Sequence, residues 1–177
     1  MMDGPELVLA RGIQQFDDVF EPISWLGIPT GTTALTANQA YLVRFRVAKP
    51  ITVANIRVFV GSATSGNLDA GLYTLNGTTW TRIASAGSTA AGTASTMQTL
   101  ALTAAVTLVP GVDYWVAFAA DNATVTILVT AISLSGAGTM YSIDNMSLTK
   151  TASFPLPATL TSLAGVATMV MTRLVAG

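Results

Sequence analysis

The run Tyr41-Leu-Val-Arg-Phe-Arg-Val47 alternates apolar and polar positions at the two-residue period of a β-strand. Tyr41, Val43, Phe45 and Val47 share one face, and Arg44 and Arg46 point the other way. Lys49-Pro50 ends the run. Beyond it, Ile51 and Val53 have one parity while Ile56, Val58 and Val60 have the other. A parity slip inside one apolar run predicts a bulge or corner near Ala54-Asn55. Residues 61–67 read as a turn-rich connection.

Asn76-Gly77 separates two β-prone runs, 70–75 and 78–83, and predicts a hairpin closed by a type I′ turn. A two-residue loop at Asn76-Gly77 pairs Tyr73 with Trp80, Leu72 with Thr81 and Ala70 with Ile83. Ala70, Leu72 and Ile83 then line the core face, with Tyr73, Trp80 and Arg82 on the opposite one. Residues 85–95 are low-complexity Ala, Gly, Ser and Thr and read as a flexible or exposed connection.

Further strands are predicted near 97–102, 105–108, 114–119, 124–130 and 140–143. Pro155 and Pro157 mark an extended edge or loop, and the mostly apolar stretch 166–175 is placed to close a sheet. No segment carries a long amphipathic helical period, and no repeat suggests a solenoid. The expected fold is all-β: one antiparallel, jelly-roll-like β-sandwich over residues 36–177, preceded by an extended N-terminal arm over residues 1–35.

Composition adds a constraint. Hydrophobic residues make up 51% of the 177-residue chain and charged residues only 10%, against roughly a quarter in an ordinary soluble domain. One core can be built at this length, and the apolar excess points to burial against other subunits. Charge is unevenly placed. Residues 1–21 carry a net charge of −4, and the remainder carries +3. The acidic leader is also apolar, and Leu7, Leu9, Ile13, Phe16, Val19, Phe20 and Trp25 are too many large side chains for a free tail. They are read as a subunit interface, an arm laid on a mildly basic body.

The chain has no histidine and no cysteine. That removes the commonest general base and metal ligand and every Ser-His-Asp or Cys-His nucleophile system. Asp113, Asp121 and Asp144 sit in turn sequences, where Asp usually bonds its local backbone. Asn76-Gly-Thr78, Asn122-Ala-Thr124 and Asn145-Met-Ser147 are read as incidental glycosylation tripeptides. The expectation is a non-enzymatic protein with no catalytic residues, no cofactor and no metal. Nucleic acid as a partner would call for clustered Lys and Arg. Membrane insertion would need an uninterrupted apolar run, and a signal peptide a basic start. None of these signals is present. Tyr73, Trp80, Arg82 and Trp115 keep three readings open: the other half of a sandwich core, a subunit interface, or a platform on which a sugar stacks.

Two passages carry a resemblance. One is Ile51-Thr-Val-Ala-Asn-Ile-Arg-Val-Phe-Val-Gly61, continuing to Gly66-Asn-Leu-Asp-Ala-Gly-Leu-Tyr73. The other is Val106-Thr-Leu-Val-Pro-Gly-Val-Asp-Tyr-Trp-Val-Ala-Phe-Ala-Ala-Asp-Asn122. They resemble jelly-roll modules of tailed-bacteriophage virion proteins, of the type used in head decoration, minor tail and fibre-tip proteins. The likeness covers about residues 40–130 and, loosely, 154–159. It implies a virion component made in the host cytoplasm. It would be a homo-oligomer, with a trimer favoured, whose partners are the capsid or tail lattice. A decoration (cement) or tail-accessory subunit is the leading expectation. A carbohydrate-binding module for host adsorption, using a surface glycan, is the alternative.

Overall fold

Two antiparallel sheets are packed face to face in the computed structural model, which describes residues 15–16, 19–20, 31–61, 65–131, 147–165, 168–170 and 172–176. The strands in chain order are β1 (Gln15–Phe16), β2 (Val19–Phe20), β3 (Gly31–Ala34), β4 (Ala40–Phe45), β5 (Ile51–Val60), β6 (Asn67–Asn76), β7 (Thr79–Ser85) and β8 (Thr89–Ala90). They continue with β9 (Thr96–Leu108), β10 (Tyr114–Ala120), β11 (Thr126–Ala131), β12 (Ser147–Lys150), β13 (Thr159–Leu160), β14 (Ala164–Gly165), β15 (Thr168–Val170) and β16 (Thr172–Ala176). The first sheet runs β1-β2-β16-β5-β11-β15, with β3 on β11 and β9 on β5. The second runs β13-β7-β6-β10-β4-β12-β14, with β8 on β6. Between the described strands from β4 to β12 the chain stays in the second sheet from β6 to β8 and otherwise changes sheet at each step, so the two layers are stitched together repeatedly. The expected antiparallel β-sandwich is the observed fold.

Alternation sets the main core. Val43 and Phe45 of β4, Ile56 and Val58 of β5, Leu68 and Leu72 of β6, Leu100 of β9, and Val116 and Phe118 of β10 meet between the sheets. The parity slip in β5 is real: its register with β9 shifts between Val53 and Asn55. There Val53 faces Val106 while Asn55 faces Ala101, so the extra residues lie on β9. That strand is one continuous element and not the two expected, because no Gly or Pro interrupts Thr103-Ala104-Ala105.

β10 is buried along its whole length. Tyr114, Val116, Phe118 and Ala120 face the main core, and Trp115, Ala117 and Ala119 face the other way into a second apolar cluster. Its unbroken apolar sequence reflects this two-sided burial. In β4, Ala40 and Leu42 join the second cluster too, so the face opposite Val43 and Phe45 is not simply solvent.

The 70–83 hairpin forms, with a correction of register. Asn76 pairs with Thr79, Leu75 with Trp80 and Tyr73 with Arg82. The loop is therefore Gly77-Thr78, and Gly77 takes the left-handed φ of +61° as the first central residue, the glycine position of a type II′ turn. Both strands slip by one residue, which preserves the faces. A second shift between Leu72 and Tyr73 sets Leu72 against Ala84, leaving Ile83 partly buried on the main core.

Of the arm, Leu7, Leu9, Ile13 and Trp25 lie outside the described residues. Phe16 pairs with Val19 between β1 and β2, and Val19 and Phe20 pair with Val175 and Leu174 of β16. β3 pairs with β11. Backbone on both sides of residue 35 thus enters the same sheet. The strand expected at 140–143, with Asp144 and Asn145, also lies outside the described residues.

Candidate functional site

The four residues singled out for recognition do converge, on the outer face of the second sheet. Tyr73 on β6 neighbours Trp115 of β10 on one side and Arg82 of β7 on the other. Trp80 meets Trp115 edge to face, ring centroids 6.0 Å apart at 89°. The residues after Lys150 then cross over this surface. Leu156 and Leu160 are buried among Tyr73, Trp80 and Trp115, with Phe154 and Leu163 partly buried beside them. Trp80 retains 7% of its surface, Trp115 2% and Tyr73 none. The face is a second core beneath a strap, so no ring of this group is open for a sugar to stack on. Of the three readings left open by the sequence, the structure shows the core.

The strap is held by side chains directed at its backbone. The Tyr73 hydroxyl donates to the Pro157 carbonyl at 2.6 Å. Arg82 Nη1 donates to the Leu156 carbonyl, and the Leu156 amide donates to Asp69 Oδ2 at 2.9 Å. Main-chain bonds extend the grip: Arg82 N–H to the Ala158 carbonyl and Ser153 N–H to the Asn38 carbonyl, each 2.8 Å. Thr159 and Leu160, as β13, then pair with Thr81 and Trp80. Phe154–Pro155 is a cis peptide, and the two prolines stand where an extended, irregular segment was expected.

Asp69 is fully buried, and sequence reasoning missed it. The only signal is one acid inside the β6 run Leu68-Asp-Ala-Gly-Leu72. Burial pushes its carboxyl above the ordinary 3.8, outweighing the Leu156 amide and the nearby Arg82 charge, which act the other way. Burial likewise raises the Tyr73 phenol. Both groups thus favour their neutral forms more than in water.

Asp113 and Asp121, expected to bond their local backbone, instead reach residues distant in sequence. Asp113, just before β10, accepts from Arg44 Nη2 at 2.9 Å and from Arg46 Nη2 at 3.0 Å, with Arg46 Nε on its other oxygen. Those bonds, the Arg46 bond first, hold its carboxyl below the ordinary range. Asp121 accepts the Asn67 amide at 2.9 Å and the Asn67 side chain at 2.7 Å. It thereby ties the end of β10 to the start of β6. Among the described residues no three His, Cys, Asp or Glu side chains gather as a metal site. What the assembled groups do is fasten one segment of the chain to another.

The chain belongs to the family described as Domain of unknown function (DUF4082), whose model matches residues 28–148. No curated protein matches it. The matched span takes in β3 to β11, the start of β12 and every partner on the sandwich side of the strap, and it stops short of the strap itself.

Proposed function

We propose that this chain of the DUF4082 family is a non-enzymatic structural subunit of a tailed-bacteriophage virion, a capsid decoration (cement) or tail-accessory protein acting through protein–protein contacts. The observation that carries the structural reading over the sugar-binding one is the closure of the aromatic face. Tyr73, Trp80 and Trp115, the residues best suited to a ligand, are spent on an internal core, and Asp69 and Arg82 are spent on fixing the strap above it. A sandwich with two cores, laced by cross-sheet connections, suits a part that bears load. The charge-poor, apolar composition favours further burial at subunit contacts. The virion setting is supported by the sequence resemblance over about residues 40–130.

The test is direct. Particles purified by density gradient from cultures producing the chain should contain it in many copies each, as counted by quantitative mass spectrometry. Averaged electron-microscopy density should place it at repeated lattice positions. Particles that lack it, with the protein recovered only in free form, would overturn the reading.

A further inference from the structure

We infer that the outer edge of β9 is a self-pairing interface, at which a second copy of this chain adds its own β9 antiparallel across a two-fold axis. β9 is the longest strand described, with 13 residues, and among the described residues it pairs only with β5. The other strands placed at sheet ends or off the main path are short: β1, β8, β13 and β14 have two residues each, β15 three and β3 four. Short edges are one way in which proteins avoid strand addition, and charge, proline and bulges are the others. The stretch Thr96–Ala101 uses none of these devices. It carries no charge and no proline, and it runs in unbroken register with 55–60 of β5. The register shift begins only beyond it.

Self-pairing is favoured by what this stretch displays. Leu100 and Leu102 turn into the core, and Gln98 is held on that side by bonds to Gly92 and Ala90. The opposite row, Met97, Thr99 and Ala101, is exposed, and Met97 retains 51% of its surface, the largest value among the described big apolar side chains. A two-fold axis through Thr99 sets Thr99 against its own copy and Met97 against Ala101 on both sides. A threonine then faces a threonine, a favourable cross-strand pair, and a long side chain lies beside a small one without crowding. An isologous contact requires such self-complementarity. The row carries no charge, so a copy of the same strand meets no like-charge repulsion across the axis, and its self-complementarity makes the second copy the occupant we infer. The pairing would join two first sheets into one continuous sheet, and it does not depend on the larger assembly the protein enters.

The chain has no cysteine, which makes the test clean. Thr99→Cys in the full-length protein should form a covalent dimer under mild oxidation, because directly opposed residues bring their Cβ atoms within disulfide reach. Ala123→Cys, in an exposed loop, should stay monomeric on the same timescale. Sedimentation velocity should show a dimer for the unmodified protein and weakening of about tenfold or more for Thr99→Lys, which sets like charges face to face. Circular dichroism of Thr99→Lys, and its urea midpoint at concentrations low enough for both proteins to be monomeric, should match those of the parent. The inference is overturned by an unmodified protein that is monomeric at high micromolar concentration. An oligomer that Thr99→Lys leaves intact, or equal cross-linking of the two cysteine variants, would overturn it as well. A negative result here leaves the virion reading standing, since lattice contacts can lie elsewhere on the molecule.

Discussion

The carboxylate of Asp69 accepts the backbone N–H of Leu156 at 2.9 Å, although the two residues lie 87 positions apart. That bond fixes the middle of the strap over the second core, and Arg82 takes the carbonyl of the same residue. The amide and the carbonyl of one residue are thus both satisfied, by groups from two neighbouring strands. Asp69→Ala leaves the Leu156 amide without its acceptor in a buried setting, and the expected loss is about 1–3 kcal/mol. Asp69→Asn keeps an acceptor without the cost of burying a charge and should lose much less. Urea denaturation of the three proteins checks the order. Limited proteolysis should show faster cleavage between residues 153 and 158 in the alanine variant alone.

The aromatic cluster under the strap should behave as core. Trp80→Ala is expected to cost roughly 3–5 kcal/mol, the range for emptying a large buried aromatic site. Tyr73→Phe keeps the ring and loses only the 2.6 Å bond to Pro157, for about 1 kcal/mol. Thermal and urea unfolding report both. A Trp80→Ala protein of parental stability that had lost binding to a sugar would contradict the assignment of this face to the core.

Much of the sandwich could be read from alternation, because one-sided burial writes itself into the sequence at a period of two. Val43 and Phe45 lie on the predicted inner face, and the Val53-to-Ile56 slip marks a true irregularity. The hairpin turn was displaced by one residue because Asn76-Gly77 and Gly77-Thr78 both offer glycine for a positive φ, and strand pairing decides between them. The second core was not legible. Trp80 and Trp115 are equally apolar under a strap or facing a ligand, and the covering residues Leu156 and Leu160 come from an aperiodic Pro-rich segment. Asp69 was hidden for a related reason: a single acid in a strand reveals nothing of the distant amide that it accepts.

Gly71 sits where β6 packs against both β7 and the strap. A Cβ there would stand 2.9 Å from the Ala84 carbonyl oxygen, 3.2 Å from Leu156 Cδ1 and 3.3 Å from Ser85 Cβ. The first of these is backbone in a central strand pair and has little room to retreat. Gly71→Ala is therefore expected to destabilise by roughly 1–3 kcal/mol, as overpacking does. Trimming the strap with Leu156→Ala in the same chain should not recover that loss, because the carbonyl contact remains. Urea midpoints of the two single variants and the double variant decide the matter.

Asp113 and Asp69 should give opposite slopes to the dependence of stability on pH. The guanidinium groups of Arg46 and Arg44 hold Asp113 below its ordinary 3.8. Its contribution is therefore present above the unfolded value and lost as pH falls through the folded one. Burial holds Asp69 above 3.8, so its contribution is present below the unfolded value and lost as pH rises through the folded one. Asp113→Asn should then make stability climb less steeply with pH across about pH 3–6, and Asp69→Asn should make it climb more steeply. Unfolding free energies measured by urea at several pH values in that window test both signs. Equal slopes in the parent and both variants would mean that neither carboxyl changes its proton affinity on folding. In that case the Arg44–Asp113–Arg46 cluster would contribute no more than an exposed pair screened by solvent.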